Sequence, residues 1–112
     1  MDIKTAEKIL PGLGWFKLKD IHPNIRSAST LIRRGNGVRA RVFFNNGWGA
    51  SIISSPYSLG GLENLFELAV LKGTEDAAEI NYETAITKDV LGWQSETDIL
   101  AELDHIKALP DA

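Results

Sequence analysis

The chain has 112 residues, 44% hydrophobic and 24% charged, with a formal net charge of −3 and no cysteine. That is enough chain for one domain with a single core, residues 1–112, and the composition lies well away from the disordered regime. Lack of cysteine rules out disulfides, thiolate nucleophiles and zinc knuckles, and the net negative charge argues against attraction of the whole molecule to nucleic acid.

Near the N-terminus, charged and apolar residues alternate (Asp2, Lys4, Glu7, Lys8), without the apolar run of a signal peptide. No apolar stretch is long enough to cross a bilayer, so a cytoplasmic protein without membrane contact is expected. Asp2 to Leu10, stopped by Pro11-Gly12, predicts a short helix. Residues 21–34 read two ways. Ile25, Ala28, Leu31 and Ile32 fit a short helix capped by Asn24, while Thr30–Arg34 also fits a strand joined to the next by Gly35-Asn36-Gly37.

From Val38 the pattern becomes plain. Val38, Ala40, Val42 and Phe44 alternate with Arg39, Arg41 and Phe43. After Asn46-Gly47, Trp48, Ala50 and Ile52 alternate with Gly49, Ser51 and Ile53. Asn-Gly prefers the left-handed turn geometry that matches strand twist, so residues 38–54 are expected as a hairpin. Ser54 to Gly61 is a loop rich in turn formers. Leu65 to Leu71, apolar except for Glu67, reads as a central strand covered on both faces.

Gly73 to Ala78 connects to a half-exposed strand, with Ile80, Tyr82 and Thr84 alternating with Glu79, Asn81 and Glu83. Thr87 to Gly92 is expected as one helical turn, Thr87 its N-cap and Gly92 its left-handed stop. Ser95 then caps a last helix, with Glu96 and Asp98 at its positive end and Ile99, Leu100, Leu103 and Ile106 on one face until Leu109-Pro110. The expected fold is α+β: an antiparallel meander of four to five strands, a C-terminal helix packed on one face and a short N-terminal helix. Trp48, in phase with Ala50 and Ile52, belongs to the core; Trp93 is expected to plug the end of it.

Charge is sorted along the chain. Residues 1–62 carry nine Lys or Arg against three acids, a formal +6, and residues 63–112 carry three Lys against twelve acids, a formal −9. The five arginines, Arg26, Arg33, Arg34, Arg39 and Arg41, lie in a stretch from Ile21 to Leu62 without Asp or Glu. Arg39, Arg41 and Phe43 share one strand face, with Arg33 and Arg34 across the Gly35-Asn36-Gly37 turn. Arginine interleaved with an aromatic suits a phosphate-and-stacking surface or a carboxylate-bearing protein. The plainer reading is internal pairing with Glu67, Glu79 and Glu83 across the sheet.

Catalytic chemistry finds no footing. His22 and His105 are not at metal-ligand spacing, and Ser51, Ser54, Ser55 and Ser58 lack a nucleophile elbow. Gly60-Gly61 is not followed by the Lys-Ser or Lys-Thr of a phosphate-cradling loop. Glu79 and Glu83 read as solvated acids or ion-pair partners rather than an acid–base pair. Neither an enzyme nor a cofactor or metal is expected.

Asn45 to Leu71 reads NNGWGASIISSPYSLGGLENLFELAVL, and ITKDVLG follows at Ile86–Gly92. Across residues 38–109 this resembles a group of small uncharacterised proteins of tailed bacteriophages and prophages. They share an Asn-Gly-aromatic-Gly hairpin, a Pro-Tyr-Ser-x-Gly-Gly loop, a Glu-Leu-Ala-Val-Leu strand and a Thr-x-Asp-Val-Leu-Gly turn before a final helix. Asn45, Asn46 and Gly47 match the hairpin, Tyr57, Gly60 and Gly61 the loop, and Thr87, Asp89 and Gly92 the turn.

The resemblance implies a phage-encoded accessory protein in the host bacterial cytoplasm. The expected function is a protein-binding module that modulates or inhibits a host protein, such as a defence complex (an anti-CRISPR-like role) or a nucleic-acid-processing complex. Its expected contact residues are Arg33, Arg34, Arg39, Arg41 and Phe43. A second candidate surface is the acidic helix, Glu96, Asp98, Glu102 and Asp104, which in a phage protein would mimic the phosphate line of DNA. The competing class is a small nucleic-acid-binding protein using the arginine face, and a homodimer is open.

Overall fold

A computed structural model describes residues 25–33, 37–63 and 65–112. Strands β1 (Ile25–Arg33), β2 (Gly37–Phe44), β3 (Trp48–Ser54) and β4 (Phe66–Lys72) form an antiparallel meander in chain order. Two short strands share the outer side of β4: β5 (Glu79–Ile80) at Leu71–Lys72, and β6 (Leu91–Gln94) at Phe66–Leu68. Helix α1 (Glu96–Lys107) packs over β3, β4 and β6. The domain is α+β, an antiparallel sheet with its C-terminal helix on one face. The helix expected at Asp2–Leu10 lies outside the described residues, as do His22 and Arg34.

Period-two alternation decides which side chains meet the helix. Ala40, Val42 and Phe44 on β2, Ala50 and Ile52 on β3, and Phe66, Leu68 and Val70 on β4 point to one side. Ile99, Leu103 and Ile106 of α1 close on them, all three without solvent exposure. A fully buried side chain of this size contributes about 1.5–3 kcal/mol, so the i, i+4, i+7 stripe is what docks the helix.

Between the two readings of residues 21–34, the strand prevails over Ile25–Arg33. Its register runs from Arg33↔Gly37 to Ile25↔Phe44, so β2 gains a ladder along its whole length. A helix there would leave that edge of β2 unpaired. The ladder shifts between Ile25 and Ser27, a β-bulge at Arg26. β2 and β3 join through Asn45-Asn46-Gly47, a three-residue loop in which only Gly47 takes a left-handed backbone, with φ of 85°. The turn is therefore the three-residue kind, ending in a left-handed glycine, rather than a two-residue primed turn.

Two segments differ from expectation for one reason. The strand expected through Thr84 stops at Ile80: Asn81 Oδ1 accepts from Glu83 N–H at 2.9 Å and Thr84 Oγ1 from Ile86 N–H at 3.3 Å. These side chains offer the backbone a local alternative to the ladder. Thr87 does accept a bond from Asp89 N–H, at 3.1 Å, but no helical turn follows it. Leu91–Gln94 becomes strand β6, because the open edge of β4 supplies more partners than a costly isolated turn. Gly92 is thus a strand residue and not a left-handed stop; the left-handed residue is Trp93, with φ of 50°.

Helix α1 is fixed at both ends. Ser95 and Asp98 form a capping box: Ser95 Oγ accepts from Asp98 N–H at 3.1 Å, and Asp98 Oδ2 from Ser95 N–H at 2.9 Å. These bonds, from the Ser95 backbone first and its hydroxyl second, hold the Asp98 carboxyl below its ordinary range. The hairpin loop serves the other end. Asn46 Nδ2 reaches the carbonyls of Ile106, Lys107 and Leu109 at 3.0, 3.2 and 3.1 Å, and its Oδ1 accepts from Trp48 N–H. Ala112 N–H donates to the Asn46 carbonyl, and the half-buried Trp48 donates its indole N–H to Pro110. Carbonyls that a helix leaves unsatisfied at its C-terminus are in this way taken up by another element.

Candidate functional site

The sheet face opposite the helix carries the arginines. Arg39, Arg41 and Phe43 of β2 share it with Ser51 and Ile53 of β3 and with Glu67, Ala69 and Leu71 of β4. The bulge at Arg26 turns two successive residues of β1 to one partner. Arg26 Nη2 lies 2.7 Å and Ser27 Oγ 2.9 Å from Glu75 Oε1. Glu75 sits in the connection after β4, three strands from β1, so that connection must run back across the face by roughly 14 Å. There its carbonyl takes Arg41 Nη1 at 3.4 Å, while the Arg41 guanidinium stands 5.2 Å from the Phe43 ring centre.

Phe43 is accordingly 2% exposed, a covered residue rather than a stacking platform. Among the described residues the carboxylate that pairs with the basic segment is Glu75, not Glu79 or Glu83, and Glu67 accepts from Leu59 N–H at 3.2 Å. The Glu75 carboxyl is pulled down to about 2 by its own backbone amide, then by Arg26 and Ser27. Arg39, partly exposed, makes no ion pair among the described residues. Arg33 ends β1 directly opposite Gly37.

The acidic helix is likewise engaged locally. Asp98 belongs to the capping box, Glu102 Oε2 lies 3.3 Å from His105 Nδ1, and Asp104 Oδ1 lies 3.7 Å from Lys107 Nζ. Glu96 opens the helix. These are i, i+3 contacts that a solvated helix makes for its own benefit.

Among the described residues the largest apolar side chains left most exposed gather at the loop after β3. Ser55 Oγ accepts from the N–H groups of Tyr57 and Ser58 at 3.2 and 3.1 Å, and Ser58 Oγ donates to the Ser55 carbonyl at 3.0 Å. Gly61 N–H bonds Ser58, and the 3-10 turn Gly61–Glu63 follows, with Glu63 N–H on the Gly60 carbonyl. Any side chain on Gly61 would collide with the Ser55 carbonyl, so the loop closes only with glycine there. Glu67 ties Leu59 to β4, and the Leu59 carbonyl takes the Trp93 N–H at 3.1 Å.

On this fixed backbone the apolar side chains point outward. Tyr57 is 87%, Leu62 82% and Trp93 56% exposed, and Leu59 is exposed beside them. Pro56, Leu59, Leu62, Glu63 and Trp93, with Ser58 and Gly60, line a depression of about 220 Å³. Trp93 therefore does not plug the core. The left-handed backbone, uncommon for a bulky residue, turns it outward instead. The turn formers in the sequence mark the loop but not the exposure of its apolar side chains. The available signal was four large apolar residues, Tyr57, Leu59, Leu62 and Trp93, placed among glycine and serine with no period that would bury them.

No protein-family model, curated protein or solved structure matches the chain. Among the described residues no helix is long and apolar enough to cross a membrane.

Proposed function

We propose that this chain is a protein-binding module and that the Pro56–Glu63 loop with Trp93 is its docking surface. The observation that carries this reading is the pairing of a backbone locked by its own hydrogen bonds with side chains left in water. Tyr57 and Leu62 bury little of their surface in the free protein, and more than half of Trp93 stays in water. Large exposed aromatic and aliphatic side chains on a preorganised loop lose little entropy on association and supply the anchors that dominate interfaces. Strain held at an exposed tryptophan fits the same role.

The likeness of residues 38–109 to small tailed-phage proteins supports a host protein as the partner, modulated or inhibited by occupation of one of its surfaces. Defence and nucleic-acid-processing complexes are the targets that gene type suggests. Nucleic acid on the arginine face has less in its favour, because Arg26 and Arg41 already serve Glu75 and Phe43 is covered.

Capture from the lysate of a bacterial host tests the reading. The wild-type protein is expected to retain a stoichiometric polypeptide that Tyr57→Ser with Leu62→Ser loses, while Arg39→Glu still retains it. Circular dichroism of both variants is the control for folding. Equal retention by the loop variant would overturn the assignment of this surface, and loss with Arg39→Glu alone would return attention to the arginine face.

A further inference from the structure

The chemistry of the depression specifies what enters it. At about 220 Å³ it is smaller than the roughly 300–1,000 Å³ of small-molecule sites, and closer in scale to one side chain. Its wall is apolar and aromatic, from Pro56, Leu59, Leu62 and Trp93, and it holds a single charged group, Glu63. The Glu63 carboxylate has no hydrogen bond or ion pair among the described residues, whereas the neighbouring Glu67 is committed to Leu59. Among the described residues no Lys, Arg or His pairs with it. No Lys or Arg occurs between Arg41 and Lys72 or between Lys88 and Lys107, and β6 leads directly into the acidic first turn of α1.

We infer that the depression receives one arginine side chain of the docked protein, its aliphatic stem against Leu59 and Leu62 and its guanidinium shared between the Trp93 indole and Glu63. The inference rests on the docking reading above and adds the identity of the anchor. A long side chain with an apolar stem and a weakly hydrated planar cation complements each part of the wall at once. A purely aliphatic anchor would leave Glu63 beside the contact without a counter-charge. An acidic anchor would meet that carboxylate with like charge.

N-acetyl-arginine methylamide and N-acetyl-leucine methylamide, titrated separately into the full chain, test this through the indole N–H resonance of Trp93. Its assignment comes from Trp93→Phe, with Trp15 and Trp48 as internal controls. The arginine compound is expected to shift Trp93 saturably and to bind about fivefold more tightly than the leucine compound. Glu63→Gln should remove most of that preference, and added salt should weaken the arginine compound alone. Equal or tighter binding of the leucine compound would overturn the inference, as would a preference unaffected by Glu63→Gln. Failure here with capture intact leaves a docking surface with another anchor. Failure of capture with arginine binding intact sinks the docking reading and leaves the subsite.

Discussion

At the level of single residues, Trp93 and Glu75 each do something their neighbours do not. A left-handed backbone costs a residue bearing a Cβ roughly 1–2 kcal/mol and glycine almost nothing. Trp93→Gly should therefore exceed Trp93→Ala in stability by about 1 kcal/mol in chemical denaturation, since both lose the indole and only the first relieves the backbone. Equal stabilities would show that position 93 stores no strain. Glu75 gives a pH dependence. Its carboxyl is lowered from 4.5 to about 2 on folding, so its contribution is present above 4.5 and is lost as pH falls through that interval. The thermal midpoints of the wild type and Glu75→Gln should differ most near neutrality and converge as pH falls from about 4.5 towards 2. A gap that ignored pH would mean that the Arg26 and Ser27 contacts do not bear on stability.

Among the elements, the hairpin of β2 and β3 turns on a glycine with a left-handed backbone. Gly47, with φ of 85°, has little room for a Cβ beside Ala112, and a β-branched residue tolerates that backbone poorly. Gly47→Val should cost roughly 1 kcal/mol or more, read from the denaturation midpoint; no change would mean that the loop readjusts freely. This hairpin was legible because alternation in Val38–Phe44 and Trp48–Ile52 records a buried and an open face directly. The helix was legible for the same reason, through Ser95 and the stripe from Ile99 to Ile106. Residues 79–92 were not. Asn81, Thr84 and Thr87 bond the backbone locally, and such competition leaves no trace in hydrophobic period. The site was half legible. Arginine on β2 is visible in the sequence, but its partner Glu75 arrives from a connection that doubles back over the sheet. Exposure of Tyr57, Leu62 and Trp93 follows from loop closure, which has no period at all.

Over the whole molecule, a meander laid down in chain order converts a gradient along the sequence into one across the fold. β1 and β2 carry Arg26, Arg33, Arg39 and Arg41 and no acid, while β4, β5 and α1 carry Glu67, Glu79, Glu96, Asp98, Glu102 and Asp104, so the β1 edge of the sheet is basic and the opposite edge, with the helix, is acidic. Arg26 and Glu75 are the one point among the described residues where an arginine of the first half meets a carboxylate of the second. Such a separation orients an incoming charged partner over distances near the Debye length, about 8 Å at physiological salt. A basic partner, as the proposed arginine anchor requires, would be steered to the side of β6 and α1.

The bonds of Asn46 carry a consequence for the order of assembly. Its side chain sits in a local hairpin, yet the carbonyls it holds are 60 to 63 residues away. The hairpin closes early because its loop is short, whereas this clasp closes only once the last helix has docked. Interactions formed after the rate-limiting step slow unfolding without hastening folding. Asn46→Ala should thus accelerate unfolding in stopped-flow measurements and leave refolding nearly unchanged. Slower refolding would mean that the C-terminal helix is already seated in the transition state. The clasp then acts as a latch on the finished molecule, setting how long it stays folded rather than how fast it gets there.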